Sequence, residues 1–261
     1  MNPRPSFVLF GDSITQQSFS LTSGWALPIA DAHATSVDVL NRGFSGYNTR
    51  WALAVVKNVI TTRLFSQLEL VTVFFGANDC VSAGLAGDWS RQHVPVDEYE
   101  SNLRRIVAHV QSLENRDRST PRVVVIAPPP VDEEAWLRRT VEKWAGVNGV
   151  RAEDIPCNRR LETVKEYAAA ARRVAVACNV PFVDLCSDML ASATDWKSYL
   201  FDGLHLNASG AAFLAAKLQQ VIDSEFSGLK AFKPQLPAHT ELTAENWEEK
   251  LRSIVPGSWL R

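Results

Sequence analysis

An excess of either charge is absent from this 261-residue sequence: 27 Lys and Arg stand against 29 Asp and Glu, a formal net charge of -2. A nucleic-acid or anionic-membrane partner needs a basic footprint, so neither is expected. The obvious basic pairs, Arg104-Arg105, Arg138-Arg139, Arg159-Arg160 and Arg172-Arg173, read as solvated helix faces. Long apolar runs are missing as well. No stretch reaches the roughly 18 apolar residues of a membrane span, and the opening MNPRPSFVLFGDS has no apolar segment of signal-peptide length. Cysteine is scarce: Cys80, Cys157, Cys178 and Cys186 show no CxxC spacing and are expected as reduced thiols rather than a disulfide framework. On the same reasoning the sequon Asn207-Ala208-Ser209 is expected to carry no sugar, and a cytoplasmic location is the default. No G-x-G-x-x-G follows the first apolar run and no P-loop occurs, which argues against a nucleotide-binding fold.

What is present is an ordinary globular composition, 46% hydrophobic and 21% charged, with short apolar runs alternating with helical periods. Phe7-Val8-Leu9-Phe10 stops at Gly11 and is too short for a helix, so it reads as a buried strand. Residues 36–40, 68–75 (LELVTVFF), 122–127 (RVVVIA) and 180–185 are further strand candidates. Between them, Trp51, Val55, Val56 and Val59 repeat at helical spacing after the capping candidates Asn48 and Thr49. Stripes running from Tyr99 after Pro95, from Leu161, and from Phe213 after Asn207 do the same. Continuous apolar strands, each followed by an amphipathic helix, imply a mainly parallel α/β sheet covered on both faces. One domain over 1–226 is expected. Residues 132–157 show no clean period and read as an irregular excursion, a candidate lid. The tail, 227–261, has a short helical pattern near 245–254 and reads as an appendage on the domain or on a neighbouring subunit.

In a parallel α/β sheet, ligands bind outside the carboxyl ends of the strands, so the turns there are where chemistry is sought. After the first strand comes Gly11-Asp12-Ser13, which can present a serine hydroxyl at the sheet edge. A serine is a weak nucleophile without an adjacent base, and alone Ser13 would be read as a turn or cap residue. The second turn holds Gly43 and Gly46, whose backbone can approach a ligand closely, although a plain loop has the same composition. The third holds Asn78, either an amide donor for an oxyanion or a residue bracing its own turn. Asp202-Gly203-Leu204-His205 places an acid three residues before an imidazole, so the acid can fix the tautomer and free Nε2 to accept a proton. A structural histidine is the commoner reading of His205 taken by itself. Together the four turns supply a nucleophile, an acid–base pair and oxyanion donors, the parts of an acyl-transfer site. Asp12 and Asp79 are read as braces of their turns, and Trp25, Trp136 and Trp144 as core or lid residues.

The segments FGDSI, NRGFSGYNTRWAL, FFGANDC and DGLHLN resemble, in order, the four blocks of the SGNH/GDSL hydrolases, and most resemble the isoamyl acetate-hydrolysing esterases among them. The resemblance implies a flavodoxin-like α/β/α sandwich with five parallel strands in the order 2-1-3-4-5. It implies Ser13 as nucleophile, His205 as base, Asp202 as its acid, and the N–H groups of Ser13 and Gly46 with the Asn78 amide as oxyanion donors. It also implies a small carboxylic ester, acetate-type, as substrate, and no metal or organic cofactor. An O-acetyl sugar deacetylase, a thioesterase or a lysophospholipase would use the same residues. Some relatives are homodimers whose C-terminal segment shapes the site, which makes the tail a candidate for that role.

Overall fold

Strands β1 (Ser6–Gly11) and β3 (Leu68–Phe74) are buried at every position, as apolar strands are when helices cover both faces of a sheet. The computed structural model describes residues 4–62, 67–192, 195–226 and 238–252. In it these strands are neighbours in a five-stranded sheet of order β2-β1-β3-β4-β5, with β2 Asp38–Gly43, β4 Arg122–Ile126 and β5 Phe182–Val183. Every pairing is parallel. The register aligns Gly11 with Gly43 on one side and with Phe74 on the other, so three strands end level and three turns open at one rim.

Helices α3 (Thr49–Val59), α4 (Val96–Gln111) and α6 (Leu161–Ala177) pack against one another, and α2 (Ala26–Ala32) packs against α8 (Ala208–Glu225). The sheet lies between them in an α/β/α sandwich of the expected strand order. The caps follow the sequence: Asn48 Oδ1 accepts from Trp51 N–H at 2.9 Å, and Asn207 Oδ1 accepts from the N–H groups of Ser209 and Gly210 at 3.0 and 3.1 Å. Asn207 Nδ2 also donates to the Ser198 carbonyl at 2.7 Å, so both ends of its amide are engaged.

Several elements differ from the sequence reading. β2 begins at Asp38 and runs on through Asn41 and Arg42, because an edge strand is only half covered and tolerates polar residues. β5 is two residues long: Pro181 precedes it, and Asp184 caps α7 (Leu185–Leu190) by accepting from Ser187 N–H. The irregular excursion is instead largely helical. Asp132 caps α5 (Glu133–Trp144), and this helix buries only Thr140, so it shows no wide apolar stripe. Helices α1 (Ser13–Gln16) and α2 are short and carry no period long enough to read. In the tail, α9 (Trp247–Arg252) falls within the expected helical stretch. Residues 227–237 and 253–261 lie outside the described residues, and with them most of the expected appendage and its docking. Among the described residues no helix is long and apolar enough to cross a membrane, and all four cysteines are free thiols.

Candidate active site

Ser13 opens α1 directly after β1 rather than sitting in an open loop. Asp12 caps that helix, accepting from Ile14 N–H at 3.0 Å. The nucleophile candidate therefore stands at a helix N-terminus, where backbone N–H groups and the positive end of the dipole converge. Ser13 is 7% exposed, enough to be reached from outside.

The loop before α8 turns back on itself at Gly203, whose φ of +88° few other residues adopt. That turn lets the Asp202 carboxylate collect hydrogen bonds from its own segment: Oδ1 accepts from Leu204 N–H at 3.0 Å and His205 N–H at 2.8 Å, and Oδ2 lies 2.8 Å from His205 Nδ1. Burial alone would raise the Asp202 carboxyl, but the hydrogen bonds and charge interaction with His205 outweigh it and hold the group below the usual carboxylate range. An ionised acceptor at Nδ1 puts the ring proton there and leaves Nε2 as an acceptor. Nε2 is 2.9 Å from Ser13 Oγ. The imidazole is held between two rings, stacked on Phe201 at 5.7 Å and edge-on to Trp136 at 6.2 Å.

Gly46 and Asn78 face the same space. Gly46 has φ +79°, and its carbonyl accepts from Gln92 Nε2 at 2.8 Å. Asn78 is oriented from both ends: Nδ2 donates to the Tyr47 carbonyl at 2.9 Å, while Oδ1 accepts from Arg159 Nη2 at 3.0 Å and Gln92 Nε2 at 3.1 Å. One Nδ2 proton is thus used and the other remains to donate into the cleft. Among the described residues, the backbone N–H groups of Ser13 and Gly46 have no protein acceptor. Ser13, Gly46, Asn78, Asp202 and His205 all line one cleft of about 880 Å³, which Trp89, Trp136, Trp144 and Phe201 line as well.

Asp12 and Asp79 brace the turns from below, as expected. Asp79 Oδ1 accepts from the Thr49 N–H at 2.9 Å and from the Thr49 hydroxyl, tying the third turn to the start of α3. Burial pushes Asp12 up to about 6 and Asp79 up to about 7. Trp25 is a core residue, 1% exposed.

The reading of Arg159 as part of a solvated helix face is wrong. Arg160 is exposed and pairs with Glu133, but Arg159 precedes α6, is 3% exposed and points at the site. The sequence does not mark Gln92 as a site residue, and it marks Trp136 only as a core or lid residue. Gln92 sits in a loop with no motif around it, and Trp136 lies on a helix that has no readable period. The other basic pairs lie on helix surfaces, with Arg104, Arg138, Arg139, Arg172 and Arg173 each in an ion pair. Among the described residues no group of His, Cys, Asp and Glu is arranged to hold a metal ion.

A parallel sheet with these turns at its rim is the architecture of a hydrolase family, and the chain belongs to it: the GDSL-like lipase/acylhydrolase family model matches residues 9–213. A curated rat (Rattus norvegicus) relative, "isoamyl acetate-hydrolyzing esterase 1 homolog", is 41% identical over 233 residues, spanning 88% of this chain and 86% of its own. A GDSL esterase/lipase of Arabidopsis thaliana is 37% identical over 244 residues, 93% of this chain and 96% of that one. Among solved structures, a lipase/acylhydrolase from Enterococcus faecalis superposes with a TM-score of 0.63 at 24% identity, covering 89% of this chain and 98% of that one, which shows the shared fold. Family and relatives make the protein a carboxylic ester hydrolase.

Proposed function

We propose that the protein is a serine esterase that cleaves short-chain, acetate-type carboxylic esters through an acyl-enzyme at Ser13. The observation that carries this reading is the continuous chain Ser13 Oγ–His205 Nε2–His205 Nδ1–Asp202 Oδ2, with contacts of 2.9 and 2.8 Å. The serine and the histidine in it are 192 positions apart in sequence.

His205 takes the Ser13 proton as Oγ attacks the ester carbonyl, and Asp202 stabilises the imidazolium that forms. The tetrahedral oxyanion rests against the Ser13 and Gly46 N–H groups and the Asn78 amide. Collapse breaks the bond to the alcohol oxygen, which leaves with the proton from His205. Water, deprotonated by His205, then attacks the acyl-enzyme and releases the acid and Ser13. Removing one oxyanion donor typically costs about 2.7–4 kcal/mol of transition-state stabilisation, so Asn78→Ala should slow turnover by roughly a hundredfold or more.

The acetyl preference is supported by the relatives named for isoamyl acetate hydrolysis. One observation favours a second reading. A cleft of about 880 Å³ with Trp89, Trp136 and Trp144 on its walls is larger than a small acetate needs and could seat a bulky alcohol such as an acetylated sugar. A series of p-nitrophenyl esters of increasing acyl length, run beside acetylated sugars and acyl-thioesters, tests both. The primary reading expects the acetate to have the highest kcat/KM, with Ser13→Ala inactive on all. Rates that climb with acyl length, or that are high only on acetylated sugars or thioesters, would overturn it.

A further inference from the structure

We infer that Arg159 is a positioning residue of this site, acting on the oxyanion through Asn78; the inference rests on the role proposed for Asn78 above. Arg159 is 3% exposed, and among the described residues it makes no ion pair with a carboxylate. Its guanidinium is instead spent on neutral acceptors in the site wall. Nε donates to the Ala77 carbonyl at 2.8 Å, Nη2 to Asn78 Oδ1 at 3.0 Å, and Nη1 to Asn158 Oδ1 at 3.3 Å. Trp136 lies against its face, 4.6 Å from ring centroid to guanidinium carbon, and donates Nε1–H to the same Asn158 oxygen at 2.9 Å.

Burying a cation with no carboxylate in contact is costly, because Asp12 and Asp202 act on it only from a distance, and an apolar residue would fill the same volume without that cost. The charge is explained by what it does at the amide. A charged donor on Oδ1 fixes which end of Asn78 faces the cleft and polarises the amide, so that its remaining N–H becomes a stronger donor. Gln92 supports the same arrangement, binding Asn78 Oδ1 and the Gly46 carbonyl together. The planar fork of Arg159 reaches the backbone of residue 77 and the side chain of residue 78 at once, which the single ammonium of lysine does not reproduce.

The test is a double-mutant cycle between residues 159 and 78, read by kcat and KM on p-nitrophenyl acetate. Arg159→Lys should lower kcat about tenfold to a hundredfold with KM changed less than about threefold. In the Asn78→Ala background the same substitution should lower kcat by less than about threefold, because its target is gone. Arg159→Gln, which leaves no mispaired buried charge, carries the same cycle if the lysine variant does not fold. A loss of equal size in both backgrounds, or a rise in KM alone, would mean that Arg159 only holds the 158–160 segment in place, and the proposal fails. If Asn78→Ala alone keeps full kcat, the Asn78 assignment fails first and takes the proposal with it. If Asn78→Ala is slow and the cycle shows no coupling, only the proposal falls.

Discussion

Replacing Asp202 with asparagine removes one charge while keeping the shape of the site, and its effect can be worked from the contacts. Oδ1 of residue 202 is held by two backbone donors, Leu204 N–H and His205 N–H, so it stays an oxygen in Asp202→Asn. The new amide nitrogen then takes the place of Oδ2, 2.8 Å from His205 Nδ1. An amide N–H facing Nδ1 is a donor facing a donor, unless the ring moves its proton to Nε2. In that tautomer Nε2, 2.9 Å from Ser13 Oγ, can no longer accept the serine proton. The wrong tautomer in a serine triad lowers kcat by about 10⁴, or roughly 5 kcal/mol of barrier. The assay is steady-state cleavage of p-nitrophenyl acetate, with circular dichroism to confirm the fold. KM should move little, because residue 202 acts on the reaction through His205. A folded Asp202→Asn enzyme within tenfold of the wild-type kcat would refute the tautomer argument.

Two further substitutions probe the frame of the site. Burial holds the Asp79 carboxyl at about 7, against an ordinary value of 3.8, so the folded protein keeps a proton that the unfolded chain has already released. The resulting stabilisation is complete below pH 3.8 and is lost as pH rises through about 7. Asp79→Asn keeps an acceptor for Thr49 and should flatten this decline, so its melting temperature gains on wild type between pH 5 and 8; the flattening is partial, since Asp12, held at about 6, titrates in the same window. Parallel melting curves for the two proteins would contradict the assignment. Gly46→Ala forces a side chain onto φ +79° and sets its Cβ 3.3 Å from Gln92 Nε2. It should cost about 1–2 kcal/mol of stability but at least tenfold in kcat, through displacement of the donor. Loss of stability with unchanged kcat would show that the Gly46 N–H stands outside the reaction.

The parts of the fold legible in the sequence were those where one physical signal dominates. β1, β3 and β4 are continuous apolar runs buried on both faces, and α3 and α8 begin at side-chain caps that can be named from the residue alone. The residues at the strand ends were legible for a related reason: parallel topology sends their turns to one rim, so Ser13, Gly46, Asn78 and the Asp202–His205 turn meet there. Helix α5 was not legible, because it forms the cleft wall and presents Arg139, Thr140, Lys143 and Trp144 to the opening instead of an apolar stripe to the core. Arg159 was misread because its acceptors include the Ala77 carbonyl, 82 positions away, and no local pattern marks such a contact. The edge strand β2 starts two residues and ends three residues later than expected for want of burial, since a half-covered strand does not announce its ends.

The central claim is that Ser13 Oγ, activated by His205, becomes covalently acylated. Intact-mass measurement after treatment with a fluorophosphonate, followed by peptide mapping, tests it most directly. The account predicts a single adduct on residue 13, formed much more slowly in His205→Ala and absent in Ser13→Ala. An active wild-type enzyme that takes up no label, or a Ser13→Ala variant that still hydrolyses esters at the wild-type rate, would contradict it.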